Sequence, residues 1–191
     1  MTSSYRHVAL MGPPGVGKTT FIKKVVGRLQ EGGLTCQGFY TEEVRQEGSR
    51  TGFDVVTLEG QRGILARVSP EDSVRQGPRV GKYAVDVASF ESLALPALHT
   101  ELSRPAVLVL DEVGKMEMFS DDFVKGVRQA ISSPSSTILA TIPIPKGKPI
   151  PLVEEIRRNH SFLVVHLTRS NRDDPTLQEK IMNILRASLK I

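Results

Sequence analysis

The sequence holds a single cysteine, Cys36, so no disulfide within the chain can brace it. Set between Leu34 and Phe39 at the entry to a predicted strand, Cys36 reads as a small packing residue and not as a reactive thiol. Also missing is any run near the roughly 20 apolar residues that a bilayer-spanning helix needs, so no membrane partner is expected. The start, Met1-Thr2-Ser3-Ser4-Tyr5-Arg6, leads straight into the first predicted strand without room for a signal peptide, and the expected location is cytoplasmic, with the nucleus as the alternative. Charge of one sign never accumulates: 25 Lys and Arg against 21 Asp and Glu give a formal +4, with no basic block of five or six residues. A polynucleotide partner gains little support from so even a spread. The four histidines, His7, His99, His160 and His166, have no metal-ligand spacing, which argues against a zinc site.

What remains is the composition of an ordinary globular protein, 39% apolar and 24% charged, in a chain of 191 residues. That length suits a single domain spanning 1–191 with a substantial core, expected to act as a monomer.

The most informative stretch is Gly12-Pro13-Pro14-Gly15-Val16-Gly17-Lys18-Thr19, a complete G-x-x-x-x-G-K-[ST] phosphate-binding (Walker A) loop, followed by Thr20. Before it, His7-Val8-Ala9-Leu10-Met11 is short and apolar, as a buried parallel strand should be. After it, Phe21, Ile22, Val25, Val26 and Leu29 recur at helical spacing, with Lys23, Lys24 and Arg28 on the other face. The loop therefore sits at a strand-to-helix turn, where backbone N–H groups and the positive end of the helix dipole converge on a phosphate. Lys18 is expected to reach the β- and γ-phosphates, and the Thr19 hydroxyl to ligate Mg²⁺.

Farther along, Gly32-Gly33 should stop the first helix. Three extended stretches follow, Gln37–Arg45, Thr51–Leu58 and Gly63–Val68, joined by short polar connections with glycine, which predicts an antiparallel meander inserted over about 35–87. Ser69 to Pro78 reads as a polar loop and Val80 to Val87 as one more strand. A helix is predicted from near Ser89 through Leu102, kinked or broken by Pro96. The second half then alternates: strand 106–110, a helix capped by Ser120, strand 137–142, a proline-rich loop Pro143–Pro151, a short helix with Leu152, Val153 and Ile156, strand 162–167 and a closing helix through Leu189. Such alternation predicts an α/β fold with a mostly parallel sheet covered by helices on both faces.

Val107-Leu108-Val109-Leu110 ends in Asp111-Glu112, a hydrophobic strand delivering adjacent acids in the manner of a Walker B motif. Asp111 can hold Mg²⁺ beside Thr19, while Glu112, pointing elsewhere, can orient or deprotonate an attacking water. Asp111-Glu112-Val113-Gly114 also fits the D-x-x-G of switch GTPases, but no N-K-x-D guanine-reading motif follows: Asn171-Arg172-Asp173-Asp174 has arginine where lysine is required. Lys115 and Glu117 border the acids, and a solvated loop is an equal reading for them. Thr141 ends a strand where a hydroxyl could sense phosphate, and Asn171 and Arg172 lie in the loop after the last strand, from which Arg172 could stack on a base or approach the phosphates.

Taken with Gly38-Phe39-Tyr40-Thr41-Glu42-Glu43-Val44-Arg45, Gly52-Phe53-Asp54-Val55-Val56, Asp111-Glu112-Val113-Gly114-Lys115-Met116-Glu117 and Thr141-Ile142-Pro143, the chain resembles the small P-loop nucleoside-triphosphatases of the cancer-related nucleoside-triphosphatase family over nearly its whole length. The resemblance implies a Mg²⁺-dependent hydrolase of ATP, GTP, CTP and UTP, broad in base preference, on a RecA-like core. It also implies nucleotide-binding segments at 12–19 and 107–114, the second running from Val107 to Gly114. Two rivals stand beside it: a nucleoside or nucleotide kinase sharing the loop, and a nucleotide-driven switch acting on RNA or protein. Glu112 beside Asp111 favours water activation, and no arginine-rich lid segment speaks for a kinase.

Overall fold

A computed structural model describes residues 5–69, 77–98 and 105–189. Met1–Ser4, most of the predicted 69–78 loop, His99 and Leu102 lie outside these. In chain order the elements are β1 (His7–Gly12), α1 (Lys18–Glu31), β2 (Thr35–Gln46), β3 (Ser49–Thr57), β4 (Arg62–Val68), β5 (Arg79–Val80), β6 (Tyr83–Val85), α2 (Val87–Leu98), β7 (Ala106–Asp111), α3 (Asp121–Ser132), β8 (Thr137–Pro143), α4 (Pro151–Arg158), β9 (Phe162–His166) and α5 (Pro175–Ser188).

The nine strands among the described residues join one sheet in the order β5-β6-β4-β3-β2-β7-β8-β1-β9. From β2 to β9 the neighbours run parallel, and β8 separates the loop-bearing β1 from β7. The predicted meander extends this same sheet. β2 makes the transition: Thr35–Tyr40 pair parallel with Ala106–Asp111, and from Phe39 onward the strand pairs antiparallel with β3. At the crossing the chain needs Gly38, whose φ is 123° and whose added Cβ would sit 1.9 Å from the Val109 carbonyl oxygen. Side chains cannot share that space, so the motif's glycine is a packing requirement.

β1 and β7 are buried along their whole lengths, as central parallel strands covered on both faces are. On one face α2, α3 and α4 close over Phe39, Phe90 and Phe123, whose rings meet edge-on at centroid distances of 5.1–5.8 Å. On the other, α1 and α5 bury Phe21, Ile22, Leu29, Ile181 and Leu185. Cys36 is buried in this second core, and burial pushes its thiol up to about 11, which keeps it protonated and inert. His7 is fully buried, its Nδ1 accepting from the Ile138 N–H at 3.1 Å, and burial together with Arg6 lowers it to about 4.

Two local predictions change. The expected strand 80–87 is a tight hairpin of β5 and β6, because Gly81 takes a left-handed φ of 56° and turns the chain. The helix begins at Val87 instead of near Ser89, since Asp86 Oδ1 accepts from the Ser89 N–H and caps it. α2 then continues past Pro96 to Leu98 without a break there. Ser120 caps α3 as predicted, accepting from the Phe123 N–H at 3.0 Å. Gly33, at φ 81°, closes α1: its N–H reaches Gln30 O while the Leu34 N–H reaches Leu29 O.

Candidate active site

β1 delivers the chain at Gly12 and α1 takes it up at Lys18, so residues 13–17 form the loop between them. Gly15 and Gly17 adopt φ of 73° and 105°, values open to glycine alone without strain. With glycine at the helix start no side chain caps α1, and its first N–H groups face outward as anion donors. Gly12 has no room for a side chain: a Cβ would lie 2.8 Å from the Leu167 carbonyl oxygen. Lys18 is 8% exposed, and its Nζ donates to the Gly12 carbonyl at 3.0 Å. The same Nζ stands 3.4 Å from Glu112 Oε2, which ties the loop to the end of β7.

Asp111 and Glu112 follow one another at that end across a cis peptide bond, in very different surroundings. Asp111 is 1% exposed, and its Oδ1 accepts from the Thr141 hydroxyl on β8. Its Oδ2 is buried without a hydrogen-bond partner among the described residues. Burial raises this carboxyl to about 6 against the pull of the Thr141 and Thr19 hydroxyls, and Glu112 adds to the rise. Glu112 keeps a side chain 30% exposed and opens onto a cavity of about 720 Å³.

Glu117 completes the group. It opens a short 3₁₀ turn over Glu117–Phe119, is almost wholly buried, and accepts from the Gly114 N–H at 3.1 Å through Oε2. Burial first, then the neighbouring Glu112, pushes it up to about 8, so it carries a proton at neutral pH. Gly114 lies between the two glutamates: a Cβ there would meet Glu112 Oε1 at 2.9 Å and Glu117 Oε2 at 3.1 Å. Sequence spacing alone could not separate this residue from a solvated loop, because its burial comes from the sheet and helices around it.

The structure thus brings Lys18, Thr19, Asp111 and Glu112 into one place, together with Thr141 and Glu117, for which the sequence left plain strand termination and a solvated loop as equal readings. Gly12, Pro14, Gly15, Gly17, Thr19 and Thr20 line the cavity mouth, whereas Pro13 does not and Val16 is buried in the core. Of the expected binding segment, Val107, Leu108, Val109 and Leu110 are buried in β7 and Val113 just beyond its end, and none of them lines this cavity, because a central strand spends both its faces on packing. Arg172 lies against the loop, its Nη1 donating to the Val16 carbonyl at 3.3 Å. Asn171 and Asp174 are occupied by the backbone: Asn171 accepts from the Thr168 N–H and donates to His166 O, and Asp174 accepts from the Thr176 N–H at the start of α5. Lys115 sits exposed at the cavity rim.

A hard divalent cation takes oxygen ligands, and Mg²⁺ in particular takes one or two from protein with phosphate and water for the rest. The unbonded, buried Asp111 Oδ2 near the Thr19 hydroxyl fits that requirement. No group of three or more His, Cys, Asp or Glu able to hold a metal occurs among the described residues, so a cage supplied wholly by such side chains is absent there. No helix among them is long and apolar enough to cross a membrane.

Against known proteins, a family model described as NTPase matches residues 7–182. The cancer-related nucleoside-triphosphatase of Homo sapiens is 54% identical over 173 residues, which is 88% of this chain and 91% of that protein. Nucleoside-triphosphatase THEP1 of Aquifex aeolicus is 40% identical over 185 residues, 93% of this chain and 98% of the other. The solution structure of a human cancer-related nucleoside triphosphatase superposes with a TM-score of 0.83 at 51% identity, over 96% of this chain and 98% of that one. For the crystal structure of THEP1 from Aquifex aeolicus the TM-score is 0.79 at 40% identity, over 94% and 98%.

Proposed function

The chain belongs to the NTPase family, and from that premise we propose that it hydrolyses nucleoside triphosphates at the 12–20 loop, with water as the acceptor and Glu112 as the base. The observation that carries the assignment of the base is the 3.4 Å contact between Lys18 Nζ and Glu112 Oε2. A γ-phosphate held by Lys18 lies beside a carboxylate that is still open to solvent. The backbone N–H groups of the loop and the first turn of α1 hold the β- and γ-phosphates, and Lys18 neutralises charge on them. Glu112 accepts a proton from water as the water oxygen bonds to the γ-phosphorus. The bond to the β–γ bridging oxygen breaks, and the nucleoside diphosphate leaves with that electron pair. Mg²⁺, held through Thr19 and Asp111, supplies further neutralisation of the β- and γ-oxygens when bound. Thr141 keeps Asp111 turned by its hydrogen bond to Oδ1, which leaves Oδ2 free.

ATP, GTP, CTP and UTP are all accepted in this reading, because Asn171 and Asp174 spend their polar atoms on the backbone and Arg172 offers a planar cation that any base can stack on. Every group in the mechanism comes from one chain, so a single-domain monomer suffices. Glu112→Gln tests the assignment: kcat should fall on the order of 10² to 10⁴-fold while nucleotide Kd holds within about threefold. Asp111→Asn should weaken Mg²⁺-dependent binding as well. A Glu112→Gln protein releasing phosphate at the parent rate removes Glu112 from the site.

A further inference from the structure

The phosphate loop divides two hollows. The smaller, about 270 Å³, is bounded by Gly17, Thr20, Phe21, Lys24, Arg172 and Asp173. The larger, about 720 Å³, is the one onto which Glu112 opens, with the buried Glu117 in its wall. A phosphate loop orients its ligand: the lysine reaches the β- and γ-phosphates, and the nucleoside trails from the other end. Lys18 and Glu112 therefore mark the γ end, which places the nucleoside on the Arg172 side and leaves the larger hollow ahead of the γ-phosphate. The phosphates take the part lined by the loop, Gly12 to Thr20, and the hollow continues past it between the antiparallel extension and the proline-rich loop. Its full volume, phosphate end included, lies within the roughly 300–1,000 Å³ of small-molecule sites.

Its walls are apolar and its unmatched charges are positive. Phe53, Leu65 and Val80 of the antiparallel extension face Ile144, Ile150 and Val153 of the proline-rich loop and α4. The five acids in the lining are each answered: Glu42 pairs with Lys23 and Arg62, Glu43 with both Arg45 and Arg50, Glu154 with Arg157 and Glu112 with Lys18, while Glu117 is held protonated and accepts from the Gly114 N–H. Lys115, Lys146 and Lys148 line the same hollow and have no ion-pair or hydrogen-bond partner among the described residues. Two arginines on one glutamate and three unpaired lysines leave this wall with surplus positive charge.

We infer that this hollow is a second binding site, for a small organic anion with an apolar or aromatic body, lodged ahead of the γ-phosphate while a nucleotide occupies the loop. The inference rests on the hydrolase reading for the direction of the nucleotide. Body and charge are recognised separately: the apolar walls take the body, and Lys146 and Lys148 take the phosphate, sulfonate or carboxylate.

The experiment is a fluorescence titration of the full chain with 8-anilinonaphthalene-1-sulfonate, an aromatic anion, with the loop saturated by a non-hydrolysable ATP analogue and Mg²⁺. One saturable site should persist under saturation. Lys146→Glu with Lys148→Glu should weaken the probe about tenfold, the product of two surface charge reversals, and Lys146→Arg with Lys148→Arg should retain it. Affinity for the ATP analogue should stay within about threefold in both pairs. If the glutamate pair fails to fold, Lys146→Ala with Lys148→Ala replaces it, with a loss of about threefold expected. Competitive expulsion of the probe by the ATP analogue would show that the hollow belongs to the nucleotide itself and overturn the inference, as would equal probe affinity in parent and charge-altered chains. Phosphate release by the parent, measured in the same preparation, reports on the hydrolase reading independently.

Discussion

Replacing Glu117 with glutamine should make the protein more stable above neutral pH. In the unfolded chain this carboxyl titrates near 4.5, and in the folded one burial beside Glu112 raises it to about 8. Between those values the folded state holds a proton that the unfolded state has released, so folding takes up a proton. Stability is fully present below about 4.5 and is lost as pH rises through about 8. A gap of about 3.5 pH units at about 1.4 kcal/mol each comes to roughly 5 kcal/mol over the whole window, of which about 4 kcal/mol is lost by pH 8. Glutamine cannot ionise, and its carbonyl oxygen can still accept from the Gly114 N–H. Asp111, raised for the same reason, is present in both proteins and cancels in the comparison. Urea unfolding of parent and Glu117→Gln at intervals from pH 4 to 9, without nucleotide, measures the difference. The two curves should separate steadily with pH, with the variant ahead at pH 8. Parallel curves would refute the claim that Glu117 is folded in its protonated form.

Gly38→Ala should cost at least about 3 kcal/mol in urea unfolding, since its Cβ would lie 1.9 Å from Val109 O at a φ of 123°; a loss under about 1 kcal/mol would contradict the close approach of β2 to β7. Thr141→Val keeps the shape but strips Asp111 of its hydroxyl donor, so stability should drop by about 1–3 kcal/mol and Mg²⁺-dependent nucleotide binding should weaken; parent values for both would remove Thr141 from its positioning role. Values of kcat/KM for ATP, GTP and CTP should fall within about tenfold, or roughly 1.4 kcal/mol, and a hundredfold preference for one of them would mean that a polar group reads the base.

The features legible in the sequence were those set by near neighbours along the chain. The loop at 12–19, the strand before it and the helix after it follow from glycine placement and a change of hydrophobic period, and they appear at the expected residues. The Ser120 cap and the Gly33 stop are equally local, each closed by hydrogen bonds within five residues. Where a single residue redirects the chain, as Gly81 and Asp86 do, alternation along 80–87 misled, because a pattern of period two does not register a turn.

Tertiary structure decided which polar groups were isolated from water and from whom they took their partners. Asp111 and Glu112 are adjacent letters, yet one is buried against a hydroxyl of β8 and the other opens onto a cavity, a division that depends on β8 standing between β7 and β1. Glu117 and Lys115 are two residues apart, and only the packing around them separates a buried, protonated acid from an exposed cation. Desolvation and charge–charge coupling act through space over a few ångströms, so they follow the order of strands in the sheet and not the order of residues in the chain. The same holds for the larger hollow, whose walls come from the antiparallel extension on one side and the proline-rich loop and α4 on the other, segments far apart in the chain.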